Sequence, residues 1–176
     1  RALAADVGAR LPSARAALEL LGEEVAPAVA PPLRDARFAR LVEKVGSKYV
    51  HDLGKAEVGA PLLERALAIK EREYGREHRA VAPTLTNLGS AYGALGDAAK
   101  KRDMLERALA IEEREYGRDH VEVATTLTNL GNAYGDLGDA AKKRDMLERA
   151  LAIFERAYGR DHPHAEWCRT KLESLK

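Results

Sequence analysis

The chain has 176 residues, of which 45% are hydrophobic and 32% charged, and its formal net charge at pH 7 is +1. This apolar content excludes a disordered chain, and the balanced charge provides no electrostatic reason to bind nucleic acid or an anionic membrane. A single cysteine excludes both an intrachain disulfide and a cysteine-based metal site. No apolar run approaches the roughly 20 residues that a membrane-spanning helix needs.

The first 32 residues show no repeat. Leu18, Leu21 and Val25 keep the spacing of one helix face, and a proline-rich stretch follows at 27–32. We predict that residues 1–32 form either a helical cap on the structure that follows or an arm that docks onto another subunit. Because the chain begins at Arg1 rather than Met, we expect a fragment or a processed mature chain.

A sequence repeat occupies the rest of the chain. A shift of 42 residues places 84–125 on 126–167 with 33 identical positions. A third and more diverged copy precedes them, with one extra residue near the turn of its hairpin. Self-similarity at such a period is typical of arrays of stacked helical units.

Each copy has the pattern of two helices. In the last copy, apolar residues at spacings of four, three and four predict a first helix over 121–137. Gly138 is expected to end this helix, and Asp139 to cap the second. Between copies, Asp119 and Glu122 have the pattern of a capping box with Asp119 as the N-cap. One hairpin cannot bury its apolar stripe alone, so the copies must stack.

These residues match the signature of a known family. The chain resembles the tetratricopeptide repeat family, and its longer period and Tyr-Gly-Arg-Asp-His segment resemble the kinesin light chain type. The residues that carry the resemblance in the last copy are Leu127, Leu130, Gly131, Tyr134, Gly138, Leu147 and Ala150.

The resemblance covers about residues 33–176 and implies an all-α fold, a right-handed α-solenoid of antiparallel helical hairpins. We expect three units at 33–78, 79–120 and 121–163, and a capping helix at 164–176.

One departure from the family concerns a position in the second helix that is usually small. This chain has Lys101 and Lys143 there, and Gly59 in the first copy. Either the lysine stems lie along apolar surface with their ammonium groups in water, or the two helices are further apart than usual.

The function implied by the resemblance is non-catalytic binding of a peptide or partner helix in a concave groove lined by the first helices. An asparagine in such a groove can donate to and accept from a peptide backbone. The alternative is that Asn87 and Asn129 brace the neighbouring hairpin. The polar positions expected to face the groove are Lys44, Ser47, Thr86, Asn87, Ser90, Thr128, Asn129, Asn132 and Asp136, with Lys48 as a further candidate.

Other functions stay open at this point. The chain could be a structural or assembly subunit of a larger complex, contacted through its N-terminal arm and helix ridges. Its repeats could also serve a catalytic domain elsewhere in a longer product. We expect a soluble or peripheral intracellular protein with a protein partner, and an organellar location after removal of a transit peptide is left open.

Several other patterns do not point to chemistry. His78, His120 and His162 recur at the repeat period, but equivalent positions in stacked units are about 10 Å apart, too far to share one metal ion. We expect them to be packing or helix N-terminal residues.

Basic runs at 100–102 and 142–144 are diluted by acidic neighbours, so nucleic acid is not an expected partner. No catalytic motif and no cofactor site is found, and Cys168 is expected to be a buried filler.

Overall fold

The computed structural model describes residues 36–175, and the regular structure within this range is entirely helical. The predicted N-terminal cap or arm at residues 1–32 lies outside the described residues. The helices, in chain order, are α1 (Ala36–His51), α2 (Ala56–Tyr74), α3 (Ala82–Ala94), α4 (Ala98–Tyr116), α5 (Val121–Asp136), α6 (Ala140–Tyr158) and α7 (Pro163–Glu173).

The helices pair in the order of the chain. Helices α1 and α2, α3 and α4, and α5 and α6 form three hairpins, and α7 follows the last of them. Neighbouring hairpins pack through α2 against α3 and through α4 against α5, while α7 packs against α6. Each contact is local in sequence, as in other solenoids. The predicted all-α repeat solenoid is confirmed.

A glycine and a buried leucine hold each hairpin closed. A Cβ atom on Gly89 would lie 2.8 Å from Cγ of Leu105, so only glycine allows α3 and α4 to approach this closely. Leu105 is 1% exposed. The same pairing is present in all three hairpins: Gly46 with Leu63, Gly89 with Leu105, and Gly131 with Leu147.

The turns inside the second and third hairpins follow the prediction. Gly96 and Gly138 adopt positive φ angles of 78° and 80°, which glycine tolerates at little cost. The side chains of Asp97 and Asp139 then accept hydrogen bonds from backbone N–H groups three residues ahead, each at 3.0 Å. Both aspartates are therefore the N-caps of the second helices, as expected.

The turn between the second and third hairpins corrects the predicted capping box. His120, and not Asp119, is the N-cap of α5, and its Nδ1 accepts from the N–H of Glu122 at 3.2 Å. The extended backbone of His120 brings its ring over the helix start, and the ring also stacks on Tyr116. The carboxylate of Asp119 lies 2.8 Å from Arg156 of α6 instead.

Replacement of His120 by alanine is expected to lower the free energy of unfolding by about 1 kcal/mol, because one N–H group at the start of α5 loses its acceptor. Replacement of Asp119 by alanine should change it by less than about 0.5 kcal/mol, because its pair with Arg156 is exposed to solvent. Urea denaturation of both variants at pH 8 measures the difference. A larger loss for Asp119→Ala would restore the capping box.

The two lysines that depart from the family pattern lie along glycines. The stem of Lys101 passes over Gly93, with Cδ 3.0 Å from the point a Cβ would occupy, and its ammonium is 2.8 Å from Asp136. The stem of Lys143 lies over Gly135 in the same way. Both stems therefore lie along the facing helix, as the first alternative expected, but the Lys101 ammonium is in an ion pair with Asp136 and not simply in water.

In the first hairpin the glycine of this contact is on the second helix and the larger residue on the first, the reverse of the later hairpins. Gly59 of α2 faces Val50 of α1, and a Cβ on Gly59 would lie 2.5 Å from Cγ2 of Val50. The repeat alignment, with its one extra residue, places Val50 where the later copies have Gly93 and Gly135. Each hairpin thus keeps one glycine at this crossing.

Candidate functional site

Two clefts open between first helices of the solenoid. The first lies between α1 and α3 and has a volume of about 600 Å³. The second lies between α5 and α7, above Phe154 of α6, and has a volume of about 230 Å³. Both clefts are therefore on the surface that the resemblance assigns to partner binding.

Five of the nine predicted groove residues line these clefts. Lys44 and Ser47 of α1 face Asn87 of α3 across the first cleft. Thr128 and Asn129 of α5 line the second. The first cleft thus brings together side chains that are 40 or more residues apart in the chain.

The other four predicted residues line neither cleft. The hydroxyl of Thr86 donates to the carbonyl of Ala82 at 3.2 Å, and that of Ser90 donates to the carbonyl of Thr86 at 3.3 Å, so both are occupied by their own helix. Asp136 is engaged by Lys101. Asn132 is half-buried.

Asn87 and Asn129 occupy equivalent positions on successive first helices. Both are half-buried, and neither amide forms a hydrogen bond with another residue in the described range 36–175. The predicted alternative, that these amides brace a neighbouring hairpin, therefore has no hydrogen bond to support it within that range. Each amide keeps two donors and an acceptor for another molecule.

A largely buried ion pair lies at the wall of the first cleft, which Glu43 lines. Nζ of Lys70 is 2.6 Å from Oε2 of Glu43 and 2.9 Å from the hydroxyl of Thr84, which itself donates to Glu43. Lys70 is 5% exposed and Thr84 is fully buried. This network could not be predicted from the sequence, because a lysine in a charged second helix is indistinguishable from a surface lysine until its neighbours are known.

The first cleft also carries several charged groups at its rim. Arg40, Lys44 and Lys48 of α1 line it together with His51 and Asp52. Lys48 is 3.8 Å from Asp52, so part of the positive charge is compensated.

The second cleft is more apolar, and its aromatic lining residues were not among the predicted groove positions. Trp167 of α7 is 37% exposed and lines the cleft with Phe154 and His164, whose rings stack with centroids 5.1 Å apart. The repeat could have indicated Trp167, because it occupies the position equivalent to Thr125, 42 residues earlier, and both residues line this cleft. Cys168 is fully buried, and burial raises the pKa of its thiol, in keeping with the predicted filler.

The first of the two predicted basic runs is compensated by acidic neighbours. In the first run, each cation lies beside a carboxylate: Lys100 by Asp97, Lys101 by Asp136, and Arg102 by Asp103. Within the described residues, no group of three histidine, cysteine, aspartate or glutamate side chains could hold a metal ion. None of the helices in this range has the length and apolarity needed to cross a bilayer.

The sequence matches two profiles of the tetratricopeptide repeat, one over residues 48–111 and one over residues 123–164. Together they cover more than half of the chain. No curated protein sequence is significantly similar to it.

Solved structures with the same fold include two proteins of related description. A protein from Podosopora anserina, provisionally assigned as a kinesin light chain with nearly identical TPR-like repeats, is 23% identical, with a TM-score of 0.71. The match covers 80% of this chain and 65% of that one. BtubC (BKLC) from P. vanneervenii is 23% identical with a TM-score of 0.62, and the match covers 78% of this chain and 64% of that one. This chain thus spans slightly less than two thirds of either structure.

Proposed function

Because the chain belongs to the tetratricopeptide repeat family, we propose that it is a non-catalytic scaffold that holds an extended peptide segment of a protein partner along its first helices. The observation that carries this proposal is the pair Asn87 and Asn129, two amides at equivalent positions that lie in separate clefts without a hydrogen-bond partner in the described range. Repeats of this family are in general scaffolds for protein interaction.

The geometry suits a peptide that crosses the array. Asparagine side chains can pair with both the N–H and the C=O of an extended backbone, which supports capture without strict dependence on sequence. The clefts then differ in what they accept. The first has charged groups around Asn87, whereas the second offers Trp167 and Phe154 beside Asn129.

The test uses a random-sequence peptide library displayed on phage. Selected peptides are synthesised, and their Kd is measured by fluorescence polarisation with the full chain. We expect the double replacement of Asn87 and Asn129 by alanine to weaken binding by at least tenfold, because each amide contributes about 1 kcal/mol through its hydrogen bonds.

Asn132→Ala is the matched control for this experiment, because Asn132 is also a half-buried asparagine on a first helix but lines neither cleft. It should leave Kd within about twofold. Circular dichroism checks that all variants stay folded. Unchanged affinity of the folded double variant would refute binding through the asparagine pair.

A further inference from the structure

One position of the second helix holds a different type of side chain in each of the three repeats. Lys70 of α2, Glu112 of α4 and Phe154 of α6 are 42 residues apart, and all three are buried. Each of these side chains contacts the next helix in the chain, at a position 14 residues further on. The contacted residues are, in order, Thr84, Thr126 and Cys168.

In the first and third contacts the buried side chain has suitable partners. Lys70 has both a carboxylate and a hydroxyl as partners, so its charge is compensated where it is buried. Phe154 packs with Ala165 and Cys168 in an apolar cluster and needs no partner.

Among the residues that the structure describes, the second contact lacks a counter-charge. Glu112 is 7% exposed, and its carboxyl has a hydrogen bond with Thr126, which is 2% exposed. Its Oε2 is buried, and no residue in the range 36–175 forms a hydrogen bond with it. In place of a cation, the charged group that acts on it is the carboxylate of Glu122 on α5, which disfavours a second negative charge.

The other helix faces around Glu112 do not compensate it either. Helix α3 contains no Asp, Glu, Lys, Arg or His, and its one titratable group, Tyr92, is bonded to Glu64. On α5, Tyr134 is bonded to Glu106 and Asp136 to Lys101. On α4 itself, Glu113 is paired with Arg149. Burial is the main reason why the pKa of Glu112 rises to about 7, and Glu122 raises it further.

We propose that the contact between the second and third hairpins is a proton-operated latch, closed while the Glu112 carboxyl is protonated and loosened when it ionises. An ionised Glu112 would be a buried charge without a cation, and opening of the α4–α5 contact lets water reach it. The latch lies between the two proposed binding clefts, so its opening changes their relative position.

The direction of the pH effect follows from proton linkage. Closed Glu112 has a pKa of about 7, above its ordinary value of 4.5, so the closed state binds more protons than the open state between these values. The latch is thus fully stable below pH 4.5, weakens as the pH rises toward about 7, and does not weaken further above it. Full exposure of Glu112 on opening predicts a roughly twentyfold larger opening constant at pH 7.5 than at pH 5.5.

Hydrogen exchange of the full chain, corrected for intrinsic rates, tests the latch. We expect the amides of α5 to lose roughly twentyfold in protection between pH 5.5 and 7.5, while those of α1 change by less than threefold. In Glu112→Gln, which stays neutral, the two helices should change alike. His120, the N-cap of α5, is unchanged in this variant.

Three further variants complete the design. Glu148→Gln removes a carboxyl from an exposed position of α6 and should behave as the unmodified chain. Glu112→Phe copies the third contact, and the pair Thr86→Glu with Glu112→Lys copies the first, since Thr86 is equivalent to Glu43. Glu112→Phe and the Thr86→Glu, Glu112→Lys pair should each abolish the pH dependence of α5. If one of them fails to fold, the other still tests the proposal. Equal pH dependence in the unmodified chain and Glu112→Gln would overturn the proposal.

Discussion

Replacement of Glu43 by leucine is expected to destabilise the protein by about 3 kcal/mol. The change removes the only carboxylate bonded to Lys70 within the described residues and leaves a lysine that is 5% exposed without its counter-charge. The remaining hydroxyl of Thr84 accepts one of the three ammonium protons. Urea denaturation at pH 7, with the m-value as a check on two-state behaviour, measures the loss.

The double variant Glu43→Leu with Lys70→Met is the control that separates lost charge pairing from altered packing. Because both charges leave together, the double variant should recover most of the loss, to within about 1 kcal/mol of the original chain. The difference between the single and double changes gives the coupling energy of the pair. A double variant as unstable as Glu43→Leu would show that the carboxylate stabilises α1 by another contact.

Replacement of Gly59 by lysine is expected to destabilise the first hairpin by about 3 kcal/mol or more. Even a Cβ at this position would lie 2.5 Å from Val50 and 2.7 Å from the carbonyl oxygen of Gly46, and a backbone atom cannot move aside as a side chain can. The same lysine is accommodated in the later hairpins because Gly93 and Gly135 face it. Thermal unfolding followed by circular dichroism measures the change in Tm.

The compensating variant adds Val50→Gly to Gly59→Lys and reproduces the arrangement of the later hairpins. We expect it to recover at least half of the loss, although a second glycine in α1 itself costs about 1 kcal/mol. Val50→Gly alone should be destabilising, because it leaves a gap opposite Gly59. If the double variant is no better than Gly59→Lys, the contact with the Gly46 carbonyl, and not the size of residue 50, sets the requirement.

The proposed latch and the proposed groove have separate tests. Loss of peptide binding in the asparagine variants depends on cleft residues, whereas the hydrogen-exchange experiment on Glu112 needs no partner. A working latch without peptide binding would place the partner surface elsewhere on the solenoid. Peptide binding without a latch would leave a scaffold whose clefts keep one spacing across neutral pH.

The helical order, hairpin pairing and intra-hairpin turns were determined by the sequence itself. They depend on short-range features: apolar spacing along one helix, glycine at Gly96 and Gly138, and the aspartates that follow them. These features act within a few residues and recur with the repeat: the apolar spacing is present in three copies and the glycine-aspartate turn in two, since Lys55 follows Gly54 in the first hairpin. The groove positions Asn87 and Asn129 could be predicted for the same reason, since they belong to the repeat.

Only the tertiary structure decided which side chains meet across helices. The cap of α5 is a local exception: the sequence pattern assigned it to Asp119, but the extended backbone of His120 brings its own ring to the helix start. In the sequence, Lys70 and Glu112 look like ordinary surface charges of their helices. In the solenoid both are buried between hairpins, where Lys70 is paired with Glu43 and Glu112 has no cation among the described residues. Pairing energies of this kind depend on distance and solvent exclusion, which are properties of the stacked solenoid and are not encoded in any one repeat.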